Sequence, residues 1–178
     1  PEGEMIHLLE REGLAFGADT NASTGFDTTI YKLDLPRNDP ALLETALMLM
    51  RETASELKFA PEAVARERGV VLAELRDRNS WQFRNLEAQI AFLNPGARYT
   101  QRLPIGTVEA LNAATAESLR GYWQRSYVPA KTTLIVIGDF APDAVEAAIK
   151  ARFETWQSAP SPPQPGGGPV DPQRRGET

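Results

Sequence analysis

Residues 132–140 read TTLIVIGDF, an almost unbroken apolar run that fits a strand buried on both faces. Such a strand needs neighbours along its edges and cover above and below. One other strand is legible. Thr29, Tyr31, Leu33 and Leu35 fall on one face, with Thr28, Lys32 and Asp34 mostly on the other, and Pro36 ends it. Two strands are too few for a stable sheet. The expected fold is therefore α+β, an antiparallel or mixed sheet with helices packed on one face, its missing strands supplied from upstream or by a partner segment. The opening PEGEMIHLLEREG has no initiator Met and reads as the middle of a helix, so the chain is expected to be part of something longer. Any targeting segment would lie upstream.

Helical spacing fills most of the remainder. Residues 2–12 place Met5, Leu8, Leu9 and Glu12 at helical intervals before a stop at Gly13. NDPALLETALMLMRETASEL reads as an amphipathic helix capped by Asn38 or Asp39, with Pro40 in its first turn and Leu43, Leu47, Met50 and Ala54 on its buried face. A second helix is expected from APEAVARERG, running or bending on to about Asn94; Gly69 within it suggests a close packing partner. NPGARYTQRLPIG is a loop. One short and one longer helix follow, the latter signalled by Thr115 and Ser118, and APDAVEAAIKARFETW is a final amphipathic helix. Residues 1–157 are thus expected to make most of one domain, and 158–178, rich in Pro and Gly, a linker or tail. PSPPQP within it reads as linker rather than a polyproline ligand.

With 178 residues, 42% hydrophobic and 24% charged, the composition is that of one globular domain. A net charge of −5 without a basic stripe argues against nucleic acid as a partner. No apolar run approaches the roughly 20 residues that would cross a membrane. The chain has no cysteine, which excludes disulfides and thiolate metal sites.

Three places could carry chemistry. His7, with Glu10 three residues on, is a poor metal pair because Arg11 stands where a further ligand would come. In ARERGVVLAELRDR, Glu67 and Glu74 lie seven residues apart, so on a helix they share one stripe about 10.5 Å apart along the axis. Either they are solvated carboxylates beside Arg66, Arg68, Arg76 and Arg78, or one is a ligand and the other supports it. In NASTGFDTTIY, the small residues Asn21, Ala22 and Ser23 either turn into a strand whose edge is covered or leave an open edge on which an extended peptide can pair.

Four blocks taken in order are similar to the insulinase/pitrilysin family of zinc metallopeptidases, the inverzincins: GADTNASTGFDTTIYKLDLP, ARERGVVLAELRDR, RYTQRLPIGTVEAL and SYVPAKTTLIVIGDF. The resemblance covers nearly everything from Pro1 to about Trp156. It implies a zinc-dependent metalloendopeptidase acting on peptides or unfolded chains, with Zn2+ as cofactor. It implies that Glu74 is a metal ligand, that Glu67 supports the site from behind, and that Asn21, Ala22 and Thr24 hold substrate extended. The family's His-x-x-Glu-His motif, which supplies two zinc-binding histidines and the general base, is absent and expected upstream of Pro1. The resemblance further implies a second homologous half, on the same chain or a partner subunit, and an exported, periplasmic setting from the RLPIG block. A non-catalytic relative that binds peptides or serves in assembly is the alternative.

Overall fold

The computed structural model of the chain describes residues 4–14 and 20–158, so the expected linker, with PSPPQP, lies outside the described residues except for Ser158. The described residues divide into two units, one holding 4–14, 20–24, 28–58 and 120–158, the other 25–27 and 59–119. The architecture is α+β: helices predominate and the sheet is a two-stranded antiparallel hairpin.

In the first unit, helix α1 (Glu4–Arg11) ends where Gly13 adopts φ +84°, a conformation that costs a residue with a side chain more than it costs glycine. That turn lets the Leu14 N–H reach the Leu9 carbonyl and the Gly13 N–H reach Glu10, both at 3.0 Å, closing the helix as a Schellman motif. The same turn folds Leu14 back beside Leu9. Both join Leu42 and Leu49 of α2 (Pro40–Ser55) in the buried cluster, with Leu8, Leu33, Leu35 and Met48 around it.

Helix α2 starts as its sequence directs. Asp39 is the cap, its Oδ1 accepting from the Ala41 and Leu42 amides at 2.9 and 3.4 Å, while Asn38 donates instead to the Asp139 carbonyl. The Ala41 N–H, then Arg37 and the Leu42 N–H, hold the Asp39 carboxyl below its ordinary 3.8. A carboxyl lowered in the folded state stabilises fully above its unfolded value, and that contribution is lost as pH falls through the lower, folded one.

The deepest stripe of α2 differs from expectation: Leu42, Ala46, Leu47 and Leu49 are buried, and of the expected set only Leu47 is among them. Leu43, Met50 and Ala54 are half-buried. The helix is covered from more than one side. Leu42 and Leu49 meet α1, and α7 (Pro142–Phe153) packs along α2, with Arg152 Nη2 3.2 Å from Glu44 Oε2.

Strands β1 (Thr20–Thr24) and β2 (Thr29–Leu33) pair with Ala22 opposite Tyr31 and Thr20 opposite Leu33. Leu33 lies against the core cluster. Helix α6 (Ala116–Ser126) brings in Trp123, 9% exposed, whose indole N–H donates to the Thr53 carbonyl at 3.3 Å.

The expected doubly buried strand at 132–140 is not found. Residues 132–137 form no strand pairing among the described residues. Leu134 and Val136 are half-buried, whereas Ile135 is 74% and Ile137 91% exposed. The period-two alternation of a strand is present. Among the described residues the segment has no neighbour along its edges and no cover on its outer face.

In the second unit, the helix expected to run or bend on to about Asn94 is two helices, α3 (Pro61–Arg78) and α4 (Trp81–Leu93). The break is a fresh start: Ser80 caps α4, its Oγ accepting from the Phe83 N–H at 3.2 Å. A 3-10 turn at Arg98–Gln101 packs on α4, and α5 (Val108–Ala113), capped by Thr107, packs on α3. Thr115 and Ser118 bond reciprocally, amide to hydroxyl, at 2.9 and 3.1 Å and open α6 as expected. Neither α3 nor α4 has a fully buried residue. Among the described residues no helix is long and apolar enough to cross a membrane.

Candidate functional site

Glu67 and Glu74 both lie within α3, so its period places them on one stripe two turns apart, and both are exposed. The Glu74 side chain is 44% exposed, and its Oε1 is 2.6 Å from Nη2 of Arg78, one turn on. Arg68, next to Glu67, instead donates from Nη2 to the Ala114 carbonyl at 2.5 Å and ties α3 to the end of α5.

Gly69 departs from expectation. A Cβ built there meets nothing within 4 Å among the described residues, so the close packing partner is not found. Gly69→Ala should therefore raise the stability of the 178-residue chain by about 0.5–1 kcal/mol, read by urea denaturation. An unchanged or lower stability would show that a neighbour does press on that turn.

The resemblance implies that Glu74 is a metal ligand, and it would supply a zinc ion with one carboxylate. A catalytic zinc takes three protein ligands, and among the described residues no group of three or more His, Cys, Asp or Glu could hold a metal. His7 Nδ1 stands 3.4 Å from Glu10 Oε2 in an exposed pair on α1. The described residues do not by themselves make up a zinc site.

Asn21, Ala22 and Thr24 lie on β1. Among the described residues β1 is paired along one edge, to β2, and its other edge is open. Asn21 Oδ1 accepts from the Ala22 N–H at 2.8 Å. Across the pair, the Tyr31 hydroxyl is 2.7 Å from that of Tyr127, and the rings meet edge-on. Partial burial, then this bond, keeps the Tyr31 phenol protonated well above the usual tyrosine range. The sequence reading missed this pair. Nothing local links residues 96 positions apart.

The described residues give a helix-rich α+β architecture, with an open-edged hairpin in one unit and two glutamates on a single helical stripe in the other. The chain belongs to the insulinase family: residues 1–100 match "Insulinase (Peptidase family M16)" and residues 113–178 match "Peptidase M16 inactive domain". It is 32% identical over 163 residues to the zinc protease PQQL-like of Arabidopsis thaliana, covering 90% of this chain and 17% of that protein. It is 28% identical over 162 residues to the Arabidopsis chloroplastic stromal processing peptidase, covering 86% of this chain and 13% of that one.

The crystal structure of the first half of the periplasmic protease PqqL from Escherichia coli matches with a TM-score of 0.89 at 30% identity, over 96% of this chain and 36% of that one. The ferredoxin protease FusC, solved in complex with Arabidopsis ferredoxin, matches with a TM-score of 0.83 at 25% identity, over 90% of this chain and 18% of that one. The chain thus spans about a sixth of the length of the Arabidopsis PQQL-like relative.

Proposed function

We propose that the protein carrying this chain is a zinc-dependent metalloendopeptidase that hydrolyses peptides or unfolded polypeptides, and that residues 1–157 are most of its N-terminal catalytic domain. The observation that carries this reading is the insulinase-family match over residues 1–100, among relatives named as zinc proteases. Glu74 is one zinc ligand, and histidine donors and the general base come from outside these 178 residues. Zinc, when bound, polarises the scissile carbonyl and lowers the pKa of a bound water. Glu67 supports the site from behind. The open edge at Asn21, Ala22 and Thr24 holds the substrate extended by main-chain pairing, which makes the attack effectively unimolecular. Residues 158–178 lead as a linker towards a second homologous half, on the same polypeptide or a partner subunit. A periplasmic location is supported by the similarity to PqqL.

One observation favours a second reading, a non-catalytic relative that binds peptides or serves in assembly: the Glu74 carboxylate is already engaged by Arg78. The two readings separate on metal removal. With the full-length protein and an internally quenched peptide, a zinc chelator should cut hydrolysis by about 100-fold or more, and added Zn2+ should restore it, because the metal is the centre of the chemistry. Peptide binding without cleavage, at any metal concentration, overturns the peptidase reading in favour of the second.

A further inference from the structure

The hairpin that carries Asn21, Ala22 and Thr24 has little holding it. Along both strands Thr20 and Leu33, at its base, are the least exposed, and Tyr31 in the middle is still 40% exposed. A two-stranded hairpin is marginal by itself, yet an edge that pairs with a peptide must keep its amides and carbonyls at fixed places. Something must hold the middle of the strands.

One line of contacts does so. Tyr31, directly opposite Ala22, meets Tyr127 edge-on with ring centroids 6.2 Å apart, and the two hydroxyls bond at 2.7 Å. The Tyr127 ring lies 6.1 Å from that of Trp123, and Trp123 is buried and bonded through its indole N–H to the Thr53 carbonyl of α2. Mid-hairpin is thus connected to the helix that forms the core. With no charge in the link, it does not depend on ionic strength.

We propose that Tyr127 is a positioning residue for the peptide-binding edge of β1, acting through the Tyr31 hydroxyl. The inference rests on the reading of Asn21, Ala22 and Thr24 as the substrate edge. A hairpin released at its midpoint samples positions in which the edge does not match an extended peptide, and a bound peptide must then restore order. That cost falls on the free enzyme's encounter with substrate, so KM rises while kcat holds.

The test uses Tyr127→Phe, Tyr31→Phe and the double variant in the full-length protein; each keeps its ring, so packing is retained. Each single variant should raise KM for a quenched peptide about three- to tenfold, the population shift one hydroxyl bond supports. The double variant should be no worse than either single one, because both remove the same bond. Amides of residues 20–24 and 29–33 should exchange faster with deuterium, while those of α2 keep their protection. A KM unchanged by Tyr127→Phe, or single effects that add, overturns the proposal. If the unaltered protein cleaves no peptide, the peptidase reading has failed instead, and hydrogen exchange decides the positioning: hairpin amides as protected in Tyr127→Phe as in the original would overturn it.

Discussion

Glu74→Gln in the full-length protein is expected to remove bound zinc and peptide hydrolysis together. The change is nearly isosteric and falls on a half-exposed side chain, so the fold should be disturbed by no more than about 0.5 kcal/mol. Among the described residues Glu74 pairs with Arg78, four residues on. An exposed pair at that spacing contributes about 0.3–0.5 kcal/mol, too little to compete with a divalent cation for the carboxylate. The partners that orient a metal's ligands cost about 10- to 100-fold when lost, and losing a ligand should exceed that range. Glu67→Gln, one step removed, belongs within it. Metal content by elemental analysis, beside the hydrolysis rate, reads both. Full zinc stoichiometry with full activity in Glu74→Gln would end the assignment of this helix to the metal.

A second large effect is expected in the core. Leu42 is 2% exposed and packs with Leu9, Leu14 and Leu49, four leucines that bring α1 and α2 together. Leu42→Ala should destabilise the chain by about 2–5 kcal/mol, the sum of lost burial and a cavity that so small a cluster is poorly placed to refill. For a chain of this size that lowers Tm by about 10 °C. Val70→Ala on exposed α3 is the control, with an expected change under about 0.5 kcal/mol. A shift of Leu42→Ala as small as the control's would mean that the leucine cluster does not hold the unit.

Features set by a few adjacent residues were legible in the sequence. The Gly13 stop, the Asp39 cap with Pro40 behind it, and the Thr115–Ser118 start depend on backbone chemistry within one turn, and each appears where the residues place it. The common stripe of Glu67 and Glu74 was legible for the same reason, since helical period alone fixes it. What they bind was not, because it rests on family likeness and not on spacing.

Features that depend on distant surfaces failed. The buried stripe of α2 turned because α1 and α7 both cover it, and no pattern within the helix records two neighbours. Gly69 suggested a close contact that the described residues do not supply. The Tyr31–Tyr127 bond joins two unremarkable tyrosines. The apolar run at 132–140 was read from composition as buried, but composition records what a segment needs and not what it receives.

That last mismatch governs how the isolated polypeptide behaves in a tube. Ile135 and Ile137 present bare hydrocarbon beside backbone that no ladder occupies among the described residues, which is the template on which chains stack into aggregates. Concentrating the isolated chain is expected to pair copies along this ribbon, read by light scattering against concentration. A lysine in place of Ile137 would act as a gatekeeper, keeping the material in solution without touching either glutamate.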